Sequence, residues 1–486
     1  MHVKFRAACL QLPARPLDRA DENLRAAENM VREARARRAE LIVLPECTYP
    51  GYYLSGWDEL RRARRLPTPA DALEFFAELA RRESVHICVG LVEDVGTRRY
   101  NSVFMLSPSG EILGRNRKLF LWHFDERWFD RGDVLETVEA LGTSFGMFVC
   151  ADGRLPEIPR TLALKGARVF LDSTNWVATG FDREALTNPQ PRFMMQARAV
   201  ENGAWVLAAN KVGMEAGSVV FCGLSIIVSP AGEVVARAPA LEPAVIVAEV
   251  TVTDAPPLLR ARRPEAYPLW AAPAGAVDRG APGQVYLGLA QVSGSDLHRC
   301  LRLFTEQGAD IAVVPGDDRA RAQEASRSFR GVLVMGHETR AWAFMDGKLL
   351  GAQGLVHGGK ERGFRLIETP VGRLGLLPGR DGLFPEAARQ LALLGADLII
   401  WTTGEERFHA SLYPTRAAEN RVFLASCARP PGPTAVYNPD GALLAAAFPG
   451  EDQVILARLD LPLAEHKELV PGTDVVRDRT PELYLP

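Results

Sequence analysis

Three polar residues in the first half of the chain could together carry out covalent chemistry: Glu46, Lys118 and Cys150. Glu46 follows a short apolar run and a proline in LPECTYPGY, and Cys150 ends the apolar run FGMFVC. Each therefore lies at the carboxyl end of a predicted strand, where α/β proteins place ligands. A thiol beside a carboxylate that can take its proton and an ammonium that can stabilise negative charge is suited to nucleophilic catalysis.

Each residue also has an ordinary structural interpretation. Glu46 alone could be a loop carboxylate facing solvent, and Cys150 alone could pack as a small apolar side chain. Cys47 is a rival nucleophile, but it adjoins Glu46 on an extended segment, where neighbouring side chains diverge, so we interpret it as packing. Lys118 precedes a run too aromatic for a solvated loop, which indicates either a pocket wall or a packing loop.

An internal repeat bears on these alternatives. Segments recur in the same order in both halves, which predicts a tandem duplication of one fold. The paired segments are 39–45 with 309–315, 152–157 with 381–386, 164–170 with 393–399, 198–202 with 416–420, 229–232 with 438–441, and 260–267 with 477–484.

The second copy lacks the three polar residues and has Gly316, Leu355 and Gly379 in their places. The scaffold residues around these positions persist, so the fold itself does not need the polar groups. Their joint loss from one copy indicates that they act as one unit in the other.

The elements that must position these residues alternate between helix and strand. Amphipathic spacing predicts helices over 21–37 and 70–82, and apolar runs predict strands over 3–10 and 86–91. A hairpin is predicted over 102–114, around a Ser-Pro-Ser-Gly turn. This mixture favours a layered α/β sandwich over a purely parallel sheet.

We predict a catalytic domain at 1–255, a linker rich in Pro, Ala and Arg at 256–283, and a shorter second domain at 284–486. The chain of 486 residues has 47% hydrophobic and 24% charged residues, which is typical of a soluble globular protein. Its net charge of −3, without a long basic run, argues against a nucleic-acid or membrane-surface partner. Seven scattered cysteines without a CxxC pair, and no signal-peptide or transmembrane pattern, predict a reduced cytoplasmic protein without a zinc site.

With these residues placed, residues 1–270 resemble the carbon–nitrogen hydrolase (nitrilase) superfamily. The resemblance rests on the order Glu, Lys, Cys at strand ends, on LPE, on the Arg-Lys pair before an aromatic segment, and on C-x-D-x-R-x-P-E. It implies two tandem four-layer α-β-β-α sandwiches, of which the second is degenerate and inactive.

The resemblance also implies a covalent mechanism that requires no metal or organic cofactor. Cys150 would attack an amide, carbamoyl or nitrile carbon, with Glu46 as general base and then acid, and Lys118 would stabilise the oxyanion. Glu126, in FDERWF, matches the family's second glutamate and would orient Lys118. The backbone N–H of Ala151 would be a second oxyanion donor.

The resemblance narrows the substrate to a small molecule. Ala151-Asp152 after the cysteine resembles amidases and carbamoylases rather than true nitrilases, which usually have Trp-Glu there. Amide or N-carbamoyl hydrolysis is therefore the first prediction, and nitrile hydrolysis or acyl transfer is the alternative. Arg154 matches a carboxylate-binding position of carbamoyl-amino-acid hydrolases, although Gly153 replaces that pattern's second arginine and Arg154 could instead pair with Glu157. Further predicted pocket residues are Trp122, His123, Asn175 and Trp176.

The second copy has two interpretations. Family members commonly pair two sandwiches, so the resemblance implies an intramolecular pseudo-dimer whose second half is catalytically inactive, with further homo-oligomerisation left open. The alternative is that the second copy has diverged without keeping a role. A non-enzymatic binding or regulatory protein is the competing function of another class.

Overall fold

The computed structural model describes residues 3–178, 187–273, 275, 280, 282–293, 296–404 and 408–486. The chain divides into two compact units. Unit 1 comprises Met1–Leu259, Val470–Thr473 and Asp478–Leu485, and unit 2 comprises Arg260–Leu469, Asp474–Arg477 and Pro486. Short segments from the end of the chain are therefore part of the unit built by its first half.

The elements of the first part of the chain alternate largely as predicted. Its helices are α1 (Ala20–Ala36), α2 (Trp57–Arg64), α3 (Pro69–Glu83), α4 (Glu157–Leu164), α5 (Met195–Asn202) and α6 (Pro257–Arg260). Its strands are β1 (Val3–Pro13), β2 (Leu41–Val43), β3 (His86–Val95), β4 (Arg98–Leu106), β5 (Ile112–Arg117), β6 (Thr137–Ala140), β7 (Thr143–Val149), β8 (Val169–Ser173), β9 (Trp205–Ala209), β10 (Lys211–Glu215), β11 (Val219–Cys222), β12 (Ile226–Val228), β13 (Val234–Arg237) and β14 (Ala244–Val252).

Unit 1 is a four-layer α-β-β-α sandwich. One sheet runs in the order β11-β10-β1-β2-β3-β4-β5, with β14 also paired to β1, and the other runs β13-β12-β9-β8-β7-β6. Helices α1 and α3 pack on the first sheet and α4 and α5 on the second, while β3 and β4 contact β8 and β7 between the sheets. Each sheet contains three neighbouring parallel strands, which are β1, β2 and β3 in the first sheet and β7, β8 and β9 in the second. The predicted site lies at the carboxyl ends of these strands.

The second part of the chain repeats this plan with fewer elements. Its helices are α7 (Leu297–Glu306), α8 (Arg319–Ala325), α9 (Pro385–Leu394) and α10 (Leu412–Asn420). Its strands are β15 (Gln284–Gln291), β16 (Ile311–Pro315), β17 (Val332–Gly336), β18 (Arg340–Met345), β19 (Lys348–Gly354), β20 (Leu366–Thr369), β21 (Gly372–Pro378), β22 (Leu398–Thr402), β23 (Phe423–Cys427), β24 (Ala435–Tyr437), β25 (Leu443–Ala446), β26 (Gln453–Asp460), β27 (Glu468–Val470) and β28 (Thr473–Asp474).

Unit 2 is also an α-β-β-α sandwich, as the duplication predicts. Its sheets run β19-β18-β17-β16-β15-β26 and β20-β21-β22-β23-β24-β25. Helices α7 and α8 pack on the first sheet and α9 and α10 on the second. None of the helices within the described ranges is long and apolar enough to span a membrane.

Each unit contains an equivalent buried ion pair. In α5, Arg198 bonds Glu201 at 2.6 Å and donates to the carbonyl oxygen of Gly153 at 2.9 Å. In α10, Arg416 bonds Glu419 at 2.8 Å and donates to the carbonyl oxygen of Gly382 at 3.2 Å. The recurring Arg-x-x-Glu-Asn segment therefore fixes the turn that precedes α4 or α9, and its presence in both copies is structural.

Candidate active site

Glu46 lies just beyond β2, on a backbone that passes close to β3. A Cβ atom on Gly90 would lie 2.6 Å from the Glu46 Cα and 2.7 Å from the carbonyl oxygen of Pro45, so this approach requires glycine. The carbonyl oxygen of Glu46 accepts a 2.9 Å hydrogen bond from Asn175 Nδ2. The backbone of Glu46 is thus fixed by both sheets of unit 1.

The carboxylate of Glu46 is fully buried, and its two oxygens have different surroundings. Its Oε1 accepts hydrogen bonds from Lys118 Nζ at 2.8 Å and from Asn101 Nδ2 at 2.5 Å. Its Oε2 has no hydrogen-bond partner among the described residues. A buried carboxylate oxygen without a donor is free to accept a proton.

Lys118 lies between two carboxylates. Its Nζ is 2.8 Å from Glu46 Oε1 and 2.7 Å from Asp125 Oδ2, and all three side chains are fully buried. The other oxygen of Asp125 accepts a 2.6 Å hydrogen bond from the Tyr52 hydroxyl. An ammonium has three N–H donors, so two carboxylates leave one for a further acceptor.

The structure places Asp125, and not Glu126, beside Lys118. Both acids lie in the 3₁₀ turn His123–Arg127, where Asp125 is buried and Glu126 is exposed. Consecutive side chains of a 3₁₀ turn point about 120° apart, so an offset of one residue decides which carboxylate faces inward.

Cys150 begins a tight turn directly after β7. Its φ of +50° is uncommon for a residue other than glycine. Its N–H donates to Asp172 Oδ1 at 2.9 Å, and its carbonyl oxygen accepts from Gln190 Nε2 at 2.7 Å. A sparsely populated backbone conformation held by two buried side chains is typical of a functional site.

Burial and mutual charge set the proton affinities of these groups. Burial raises the pKa of Glu46 against the opposing charge of Lys118. Burial alone would lower the pKa of Lys118, but the charges of Asp125 and Glu46 outweigh it and raise that pKa well above its usual value. Burial, with the charge of Glu46, raises the pKa of the Cys150 thiol well above its usual value. Burial and the charge of Glu46 therefore both favour the protonated, uncharged form of this thiol.

The turn that contains Cys150 also carries two of the predicted residues. Ala151 is buried directly after Cys150. Arg154 is 8% exposed, and its guanidinium lies 4.5 Å from the centre of the Trp122 ring. The sequence also offered Glu157 as an ion-pair partner for Arg154. Glu157 forms a buried ion pair with Arg479 at 2.8 Å.

The remaining predicted residues have different surroundings. Asn175 contacts the Glu46 backbone, as described above. Trp176 is fully buried and its backbone N–H donates to Asn210 Oδ1 at 2.9 Å, which is a packing position. His123 is exposed, and its N–H donates to Thr473 Oγ1 at 2.7 Å.

Asp152 connects the lysine segment to the cysteine segment. Its Oδ1 accepts from the N–H groups of Leu119 and Phe120 at 3.0 and 2.8 Å, and its Oδ2 accepts from the N–H of Val149 at 3.0 Å. In unit 2, Asp381 accepts from Val356 and His357 in the same way, which places Leu355 where unit 1 has Lys118. The repeat of Asp152 as Asp381 was the sequence signal for this bridging role.

Other contacts of the site had no distinct sequence signal. Asn101, Tyr52 and Asp125 reach Glu46 and Lys118 from three separate segments, and sequence spacing does not predict such long-range contacts. Among the residues that the structure describes, no cluster of three or more His, Cys, Asp or Glu side chains is arranged to hold a metal ion.

Comparison with known proteins identifies the family. The carbon-nitrogen hydrolase family model matches residues 6–257 and 298–467, which is most of the chain and includes parts of both copies. The chain belongs to the carbon-nitrogen hydrolase family. The two matched segments are consistent with the tandem duplication of this hydrolase.

Curated relatives match one copy of this carbon-nitrogen hydrolase. It is 33% identical over 256 residues to a nitrilase of Pyrococcus abyssi, covering 51% of this chain and 93% of that protein. It is 29% identical over 274 residues to an N-carbamoylputrescine amidase of Arabidopsis thaliana, covering 51% and 90%. It is 29% identical over 284 residues to an omega-amidase of Xenopus laevis, covering 54% and 97%.

In unit 2 of this carbon-nitrogen hydrolase, backbone occupies the space that a cysteine side chain would need. Gly379 begins the turn after β21, as Cys150 begins the turn after β7, and its φ is +48°. A Cβ atom at Gly379 would lie 2.2 Å from the carbonyl oxygen of Glu338. No side chain fits at residue 379 unless this backbone moves.

Proposed function

We propose that Glu46, Lys118 and Cys150 hydrolyse an amide or N-carbamoyl group through a thioester on Cys150, with release of ammonia. The observation that carries the proposal is the buried Lys118, which is bonded to two carboxylates. Together with Glu46, it acts electrostatically on Cys150, which has a positive φ. The three residues missing from the degenerate copy are the ones assigned to catalysis.

The first step forms the thioester. The thiol proton of Cys150 moves to Glu46 Oε2, and the sulfur bonds to the substrate carbonyl carbon. The third N–H of Lys118 and the N–H of Ala151 stabilise the negative oxygen that develops. When the carbon–nitrogen bond breaks, Glu46 gives its proton to the departing nitrogen, which leaves as ammonia.

The second step releases the acid. Water loses a proton to Glu46 as its oxygen bonds to the thioester carbon, and a second tetrahedral oxyanion forms in the same place. When the carbon–sulfur bond breaks, the proton returns from Glu46 to the sulfur of Cys150. Both steps use Oε2 of Glu46, which has no hydrogen-bond partner within the described part of the chain, and Lys118 keeps its charge throughout.

The named activities of the relatives support the substrate class. Two of the three are amidases, one of them acting on an N-carbamoyl compound by its name. The relative named nitrilase makes nitrile hydrolysis the second candidate. Arg154 is cationic, lies in the turn that starts at Cys150 and contacts the Trp122 ring. Its charge supports a substrate with an anionic group.

Ammonia release from a panel of primary amides, N-carbamoyl compounds and nitriles tests the proposal. The wild type is compared with Cys150→Ala, and Cys47→Ala is the matched control because Cys47 is a buried cysteine beside Glu46. We expect release from the amide or carbamoyl class, at least about 10³-fold less with Cys150→Ala, and unchanged with Cys47→Ala. Activity that survives Cys150→Ala, or release from nitriles alone, would contradict the proposal.

We also propose that unit 2 is catalytically inactive, because it lacks all three residues. The intramolecular pairing of the two copies and any association of further chains stay predictions. Light scattering of the full chain would give the number of 53.2 kDa chains in the particle.

A further inference from the structure

The loop that follows Lys118 is held by a segment from the far end of the chain, and both belong to unit 1. Thr473 is fully buried, and its Oγ1 accepts the N–H of His123 at 2.7 Å and donates to the carbonyl oxygen of Leu121 at 3.4 Å. The carbonyl oxygen of Pro471 lies 3.1 Å from His123 Nδ1. One hydroxyl therefore bridges the backbone on both sides of Trp122.

The backbone conformation at His123 has to be held by contacts with other segments. His123 has a φ of +51°, a conformation that residues other than glycine rarely adopt without surrounding contacts. On the inner side, the N–H of Trp122 donates to Asp125 Oδ2 at 2.8 Å, and Asp125 is itself held by Tyr52 and Lys118. On the opposite side of this backbone, Thr473 makes the corresponding hydrogen bonds.

The corresponding loop of unit 2 is held in a related way. There Arg263, from the segment that follows the first copy, donates to the carbonyl oxygens of Val356 and Glu361 at 3.1 and 3.0 Å. A tail residue thus holds this loop in each unit, but the hydroxyl contact belongs to the unit that carries the triad.

We propose that Thr473 is a positioning residue for substrate binding in unit 1. It holds Trp122, whose ring packs on Arg154 in the turn that begins at Cys150. The inference rests on the proposed function, since it assigns Trp122 and Arg154 to the substrate side of that site. Glu46 and Cys150 are fixed by contacts outside this loop, and Lys118 keeps its bond to Glu46. Losing the Thr473 hydroxyl therefore alters substrate affinity and leaves the chemical steps unchanged.

The test is Thr473→Val, which keeps the shape of the side chain and removes the hydroxyl. Losing hydrogen bonds of ordinary strength corresponds to a rise in KM of about fivefold, and we expect kcat to stay within about twofold. Thr473→Ser keeps the hydroxyl and restores the wild-type KM. Thr480→Val is the matched control: Thr480 is a buried threonine of the same tail whose hydroxyl contacts Tyr484 instead of the loop, so its KM stays unchanged.

Hydrogen exchange at the His123 amide provides a readout that does not need turnover. We expect this amide to be protected in the wild type and in Thr473→Ser, and to exchange at least about tenfold faster in Thr473→Val. Free exchange in the wild type overturns the inference even if the valine variant does not fold. An unchanged KM in a folded Thr473→Val, a matching fall in kcat, or failure of serine to restore KM also overturns it. A wild type that releases no ammonia while the His123 amide is protected would instead overturn the proposed function.

Discussion

The Nζ atom of Lys118 lies 2.7 Å from Asp125 Oδ2, and both side chains are fully buried. This carboxylate holds the lysine in place and, together with Glu46, balances its buried charge. The pair links the lysine to the loop that carries Trp122, because Asp125 also accepts the Trp122 N–H.

Replacing Asp125 tests that role. We expect Asp125→Asn to lower kcat/KM for ammonia release by about 10- to 100-fold, because Lys118 loses a buried charge partner and is less well oriented towards the oxyanion. Glu126→Gln is the control, since Glu126 is the adjacent acid but is exposed, and it should stay within about twofold of the wild type. A severe loss in Glu126→Gln with normal activity in Asp125→Asn would contradict this assignment.

The pH dependence of kcat/KM should show the raised pKa of Glu46. Burial raises this pKa, and the base must be ionised, so activity is lost as the pH falls through a value above the usual 4.5. The negative charge of Asp125 raises the same pKa, so Asp125→Asn should move the acid limb to lower pH. A pH–rate profile of both proteins checks the sign, and a shift to higher pH in the variant would refute it.

The buried ion pair between Glu157 and Arg479 fixes the C-terminal segment to α4 of unit 1. Arg479→Met leaves the Glu157 carboxylate without this partner, and we expect a loss of about 3–5 kcal/mol in unfolding free energy. Glu482→Gln, at an exposed carboxylate of the same segment, should leave the thermal transition unchanged. Equal transitions for the wild type and Arg479→Met would show that the pair is not a stabilising contact.

Unit 2 should reject a side chain at residue 379. Gly379→Ala places a Cβ atom against the carbonyl oxygen of Glu338 at a positive φ, so the backbone must shift. Gly450→Ala is the matched control, because Gly450 has a φ of +83° with open space around its Cβ position and should cost only about 1–2 kcal/mol. Thermal unfolding should show the larger loss for Gly379→Ala, and similar losses in the two variants would contradict the clash.

Much of the scaffold was predictable because its elements have clear periodicity. The helix predicted over 21–37 is observed as α1, Ala20–Ala36, and its buried residues include Leu24, Ala27 and Val31 at the predicted spacing. The helix predicted over 70–82 is observed as α3, Pro69–Glu83, which starts at a capping box between Thr68 and Asp71.

Two segments that are present only in the first copy were not predicted from the sequence pattern. Helix α2 carries three arginines, one aspartate and one glutamate and has a single buried residue, Trp57, so its sequence has no apolar stripe. Strands β10 and β11 are short, and the two ends of β10 carry a buried Lys211–Glu215 ion pair at 2.8 Å, which sequence alternation does not show.

The candidate site was only partly predictable. Strand ends and the internal repeat led to Glu46, Lys118 and Cys150 as candidates, because both signals are visible in the sequence without knowledge of tertiary contacts. The choice between Asp125 and Glu126 depends on the rotation of one 3₁₀ turn, and the contact of His123 with Thr473 joins residues 350 positions apart. Such details are set by tertiary packing rather than by local sequence.

The rate at which iodoacetamide modifies each cysteine is the most direct test of the account. All seven cysteines are buried free thiols, and the proposed function gives Cys150 a base, Glu46, that can take its proton. Peptide mass spectrometry, with ammonia release measured on the same samples, should show Cys150 modified at least about tenfold faster than the other six and activity lost in proportion. Full activity after complete modification of Cys150, or loss of activity that follows modification of Cys47 instead, would contradict Cys150 as the nucleophile.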